Sequence, residues 1–389
     1  MSTHYSIDKG NTLNSPEGLT PQENFTLTPE AEFSLLEGII KFTGAVTFSA
    51  YTRDLNSPKV PTGELGVPAF FTNIMQAHSS SRINYAGNAS ANLDLNQFGL
   101  QLGYERVQPG FMSLGVGRVR DDHQNIQISP SIQLLNNRLS LQGSLTLGRD
   151  NLLGNRIQTR RNTGVGTNAQ FQLSDLISVN GNYNLLVNDV SSNIGADTLQ
   201  QGALGQLQVS HTFMLQPNLT FQSDQYTHNV SLSGSYFKMG SEFKGATASS
   251  PNNFESDTYS TSVNYSLSFP SGFSVNTMGN FLVYNSRNTE NRSLGANVGG
   301  SHRLFDDKMT LSLNVGMNQN RNEVDRSAQN QNNIIFKGRQ LMLNLTTNYR
   351  LSENGTFSLS VRNRTNNVVE GAGTKYSELE GSVSYRHRF

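Results

Sequence analysis

Almost everywhere along this chain, apolar and polar residues alternate with a period of two. In the stretch RLSLQGSLTLG, Leu139, Leu141, Gly143, Leu145 and Leu147 fall on one side, while Ser140, Gln142, Ser144 and Thr146 fall on the other. A pleated strand places alternate residues on opposite faces and a helix does not, so the pattern predicts strands. The same alternation runs through KMTLSLNVGMN, RQLMLNLTTNYRL, GTFSLSVRNR, TSVNYSLSF and SRINYAGNASANLDL, and no stretch of a dozen residues reads convincingly as a helix. These segments run to roughly 11–16 residues, whereas strands in soluble domains cluster near 5–6. A tilted strand needs about 9–11 residues to cross a bilayer, so the excess is expected to project beyond it.

The connections carry a second signal. Short turns rich in Asn, Asp, Ser and Gly join the long segments at LLEGI, DLNQF, LNNRL, LSDLI, QSDQY, FPSGF, FDDKM and SENGT, the chemistry of tight hairpins. Longer polar connections lie between them, as at 54–81, 188–201, 241–256, 321–333 and 368–374. Tight turns on one rim and longer loops on the other are the pattern of an outer-membrane barrel. The expected fold class is therefore all-β: a closed antiparallel transmembrane β-barrel with short periplasmic turns and longer extracellular loops. Eight turns join sixteen strands, a final strand follows at about 374–389, and HYSIDKG is the candidate for an ascending first strand, which gives about 18 in all. If the hairpin around 24–50 is not part of the wall, the count is 16. Residues 1–23 thus form an N-terminal segment with a candidate first strand, and 24–389 form the barrel.

Composition agrees. Hydrophobic residues make up 35% of the 389 and charged residues 15%, against about 45–50% and about 25% in soluble domains. Asn, Ser, Gln, Thr and 35 Gly make up the balance. With 29 basic and 29 acidic residues, nothing points to nucleic acid as a partner, and with no cysteine neither a disulfide framework nor a thiolate zinc site can form. No cofactor is expected. The apolar run of about 18 residues that a helical span needs is missing. The start MSTHYSIDKG lacks the pattern of a secretory signal; since the architecture requires export, a signal removed from the mature chain is the expectation.

One face of the strands is strongly polar. It carries Asn84, Asn88, Asn92 and Asp94; Asn180, Asn182 and Asn184; Gln340, Asn344, Asn348 and Arg350; and Arg362 and Arg364. Barrels of this size are too wide for side chains to fill, so these residues are expected to line a lumen of water or a polar plug. A solvated wall is the plain expectation, and a substrate-selective Arg/Asn ladder the sharper one. His211, His228, His302 and His387 fall on the opposite, outward parity. With Tyr226, Phe305, Tyr385 and Phe389 they read as interfacial girdle residues, not as metal ligands. Pro130 and Pro217 interrupt good strands and predict a bulge or a lost ladder bond at each. VRDDHQN, with Asp121, Asp122 and His123, is the one acid–histidine cluster, and a hydrolase would have to use it; a solvated loop is the alternative. The loop 54–81, with its apolar GVPAFF, would constrict the lumen if folded inward and offer a partner patch if exposed.

The chain ends ELEGSVSYRHRF, with apolar residues at alternate positions back from Phe389. This resembles the C-terminal signature by which bacterial outer-membrane barrels are recognised by their assembly machinery, although His387 stands where an aromatic or aliphatic residue is more usual. Within YERVQPGFMSLGVGRVRDDHQNI, the run Tyr104, Arg106, Pro109, Gly110, Phe111, Ser113, Leu114 and Gly115 resembles large outer-membrane β-barrel proteins of the Bacteroidota type, and LLNNRLSLQGSLTLGRDNL continues the likeness. The resemblance implies a barrel in the outer membrane of a Gram-negative bacterium and supplies no activity. The expected partners are the lipid bilayer, the assembly machinery acting through the C-terminal strand, and proteins docking at extracellular loops or a plug. The leading functional expectation is a non-enzymatic pore or transport conduit for small polar solutes. The alternatives are a plugged barrel serving as anchor or component of a surface or secretion assembly, and an outer-membrane hydrolase.

Overall fold

Strand follows strand through one antiparallel sheet in the computed structural model, which describes residues 2–7, 20–61, 74–115, 119–192, 205–244, 253–326, 331–371 and 373–387. The first segments are β1 (Ser2–Ile7), β2 (Glu23–Thr28), β3 (Glu30–Leu35) and β4 (Ile40–Thr52). β2 and β3 pair with β4 in one continuous register. They are two halves of a single wall strand, divided at Pro29, which has no N–H for a ladder. After them come β5 (Ser81–Leu95), β6 (Phe98–Val107), β7 (His123–Leu134), β8 (Leu139–Asp150), β9 (Gln158–Gln172), β10 (Ile177–Ser192), β11 (Gln206–Ser223) and β12 (Tyr226–Phe243). The series closes with β13 (Phe254–Ser268), β14 (Phe273–Ser286), β15 (Thr289–Leu304), β16 (Met309–Val324), β17 (Ile334–Arg350), β18 (Gly355–Glu370) and β19 (Tyr376–His387). The wall therefore has 18 strands, in the architecture of an antiparallel membrane β-barrel, and the hairpin around 24–50 belongs to it.

Each wall strand pairs antiparallel with its neighbour in sequence, from β1 on β2 to β18 on β19. The residue-by-residue register runs as far as β1 at one end and β19 at the other. All eight predicted tight turns are present on one rim, and Asn96, Asn136, Asn137, Asp224, Asp306 and Asp307 in them take φ between 52° and 66°. Their short polar side chains tolerate this left-handed region better than others do. On the opposite rim, one connection departs from the expected pattern: only two residues separate Ser286 from Thr289.

Alternation gives the wall its two faces. Across β15, β16 and β17, Gly300, Leu313 and Leu345 stand side by side facing outward, and Gly299, Asn314 and Asn344 face inward. The prolines do not disturb this order. Register is lost only opposite Pro130, between the Ile128–Leu145 and Ser131–Gln142 pairs, and opposite Pro217, between Leu215–Gly234 and Asn218–Ser231, and it resumes unshifted. Missing ladder bonds, not bulges, are the outcome. The register shifts instead at Lys337/Gly338, in the β17–β18 pair.

Outward rings gather near the short-turn rim. His228 stacks on Phe221 with centroids 4.6 Å apart, and its Nδ1 lies 2.9 Å from the Tyr265 hydroxyl. Phe273 meets His302 at 5.9 Å, Phe305 meets Tyr349 at 6.5 Å and Tyr385 stacks beside His387 at 6.2 Å. Higher on the wall, Tyr183 pairs with His211 and Tyr236 with Tyr259. The outward rings thus lie at two heights on the wall. Phe389 lies outside the described residues.

Candidate functional site

The connection from β6 to β7, described at residues 108–115 and 119–122, folds into the barrel. Its first residue still follows the wall: Gln108 N–H donates to the Tyr85 carbonyl, and Gln108 Oε1 accepts from Tyr85 N–H, both at 3.0 Å. The chain then turns inward at Pro109 and Gly110. Gly110 has φ +77°, and a Cβ there would stand 2.9 Å from Arg82 Nη1, so no other residue fits this turn easily.

Beyond the turn, inward side chains of three strands hold the loop by its main chain. Asn84 Nδ2 donates to the Pro109 carbonyl at 2.9 Å. Asn24 Oδ1 accepts from Leu114 N–H at 3.0 Å, and its Nδ2 donates to Ser49 Oγ at 2.8 Å and reaches the Met112 carbonyl at 3.5 Å. Ser49 Oγ donates to the same Met112 carbonyl. Asn24 is wholly buried by this and Phe111 nearly so. A main chain folded against a polar wall has carbonyls and amides to satisfy, and amide and hydroxyl side chains can meet both needs.

The acid–histidine cluster turns out to be the loop's latch. Asp121 accepts from Gly110 N–H at 2.6 Å and faces Arg156 at 3.3 Å. Asp122, its side chain fully buried and its φ +59°, accepts from Leu152 N–H at 2.7 Å and meets Arg156 Nε at 2.6 Å. His123 points at Glu105, 3.6 Å away. Asn151, also buried, joins Thr159 Oγ1 and the Arg156 N–H. The loop is thereby clasped to the neighbouring 151–157 connection, and both carboxylates are committed to structure.

The described end of the 54–81 connection, from residue 74, goes the other way. Met75 is buried against Phe25 and Ala50, with Leu27 and Ile83 beside them, all on outward positions at the same rim. Its GVPAFF segment lies outside the described residues.

The remaining polar positions named from the sequence lie around the inward face. Asn88 sits on β5 below Asn84, and Asn180 and Asn182 sit on β10. Asn344 stands between Asn314 and Arg362, and Asn348 accepts from Ser358 Oγ at 2.7 Å. Arg350 ends β17 at the short-turn rim. Arg362 and Arg364 oppose Glu380 and Glu378 across the β18–β19 pair, and Arg364 lies over the Tyr376 ring at 5.8 Å. Below the inserted loop, on the β5–β10 wall, a cleft of about 600 Å³ opens to the interior.

No family model matches the chain, and no curated protein matches it. Among solved structures it is similar to OccAB2 of Acinetobacter baumannii, with 11% identity, a TM-score of 0.40, and coverage of 95% of this chain and 91% of that one. OccK8 (OprE) of Pseudomonas aeruginosa gives 10%, 0.41, 96% and 94%, and a BenF-like porin of Pseudomonas fluorescens gives 12%, 0.38, 98% and 95%. At such scores the functional reading rests on the chain's own geometry.

Proposed function

We propose that this protein is an outer-membrane pore of a Gram-negative bacterium, conducting small polar solutes past a constriction made by residues 108–115 and 119–122. The observation that carries the reading is the placement of that loop. It is tied to the inward side chains Asn24, Ser49 and Asn84, on one sector of a wall whose other inward positions carry Asn, Gln, Ser and Thr together with charged residues such as Arg362, Arg364, Glu378 and Glu380. A barrel of about 18 strands leaves room for water beside such a loop. The latch built from Asp121, Asp122 and Arg156 supports a fixed constriction, since both carboxylates are held by main-chain amides and one guanidinium. The bilayer around the rings and the machinery that reads C-terminal strands are the partners this reading implies.

Single-channel recording in a planar bilayer tests it. The wild type should give stable steps, and replacing Asn24 and Ser49 together by alanine should raise the conductance or make it noisy as the loop loses its anchors. Silent wild-type protein that is nonetheless folded and inserted would favour the plugged anchor.

A further inference from the structure

The cleft below the constriction has a composition that names its ligand. Its lining crosses six strands, and the register places one row of side chains along it: Asp94, Gly99, Ser131, Gln142, Asn168 and Asn182, each directly opposite the next. At about 4.8 Å between neighbouring strands, the row is roughly 24 Å long. A second row above it brings in Asn92, Gln101 and Asn184. Asp94, at one end, is the single ionisable residue of the lining. Among the described residues, the amides of Asn92, Gln101, Gln142 and Asn168 bond to no other side chain. Gly166 keeps the floor open, since a Cβ there would run into Ser144 Oγ and lie 2.9 Å from Asn184 Oδ1.

A trough lined in this way offers many groups that donate and accept at once and almost no field. An anion gains little from it, because nothing opposite in charge replaces its hydration, and a cation meets one carboxylate, Asp94, at one end only. A solute whose own groups both donate and accept can exchange its water for amides along the whole row. We propose that the cleft is a binding site for neutral polyhydroxylated solutes, an extended saccharide above all, met on the way from the constriction to the short-turn rim. The inference rests on the pore reading for the route, and adds the class of solute. Several weak equivalent sites in a row also suit passage, since a solute must bind to go in and leave to come out.

Maltohexaose is a suitable probe, with hexa-aspartate as the charged counterpart. Binding is followed by saturation-transfer NMR on the full chain in lauryldimethylamine oxide, which has no sugar headgroup, and conduction in planar bilayers. Maltohexaose should bind and interrupt the current, and hexa-aspartate should do neither. Gln142→Ala with Asn168→Ala should weaken sugar binding about tenfold, and Gly166→Val should abolish it, with heat-modifiable mobility confirming that each variant folds. A conducting channel that ignores maltohexaose, responds equally to hexa-aspartate, or binds the sugar unchanged in the double variant overturns the assignment and leaves the pore standing. Sugar binding without conductance would overturn the pore instead and keep the ligand class.

Discussion

Two loops leave the same rim from neighbouring hairpins and go to opposite faces of the wall. Residues 108–115 turn inward and are held by hydrogen bonds from main chain to polar side chains, whereas the described end of the other connection, from residue 74, is held on the outward face by Met75 in an apolar cluster. Adjacent residues of β2 anchor them: Asn24 holds the first and Phe25 the second. The face that a loop meets decides which kind of side chain can hold it. An inward loop must satisfy its peptide groups against polar partners, and an outward one can dock by burying apolar area.

This comparison can be broken in four ways. The largest effect should come from the rule of faces itself, tested at mid-wall: Leu313→Arg faces lipid and should cost about 2–4 kcal/mol in refolding into vesicles, while Asn314→Arg faces the interior and should cost little. Equal costs would void the assignment of faces. Next, Phe25→Ala should remove about 3 kcal/mol, the low end for a buried Phe in so small a cluster, and hydrogen exchange should quicken in 74–81 with 108–115 unchanged. Asn24→Ala should do the reverse at about 1–3 kcal/mol, because the Met112 carbonyl loses a donor and Leu114 N–H loses its buried acceptor. Exchange that quickens in both loops with either variant would mean that the two are one unit. The smallest change is expected from Arg156→Gln, at about 1 kcal/mol, since half of that side chain is exposed and water can replace part of the ion pair. Faster exchange at Gly110 and Leu152, the amides that the two aspartates accept, would register it.

Much of this fold is legible in the chain because its signals are local. Period-two alternation names the two faces, and the Asn-, Asp-, Ser- and Gly-rich turns mark the eight hairpins, six of which hold residues at positive φ. Together they are enough for the strand count once HYSIDKG is taken as strand. The two-residue connection after Ser286 was hidden, since SRNTE resembles ordinary polar loop. So was the meaning of the prolines, because a lost bond and a bulge read alike until the partner strand is present.

For the site the balance reverses. The polar parity that contains Asn84 and Asn182 is plain in the sequence, as is the conspicuous DDH cluster. That Asp121 and Asp122 form a latch was not legible, because its other half, Arg156, is supplied by a different loop. Asn24 drew no notice at all, and its partners Met112 and Leu114 stand 88 and 90 residues away. Alternation depends only on neighbours along one strand, and so sequence by itself settles which residues face inward. Which loop turns into the barrel depends on groups that only the wound sheet brings together: an amide at 24 and a hydroxyl at 49, set on one face by β2 and β4, meet a carbonyl at 112 in the loop after β6.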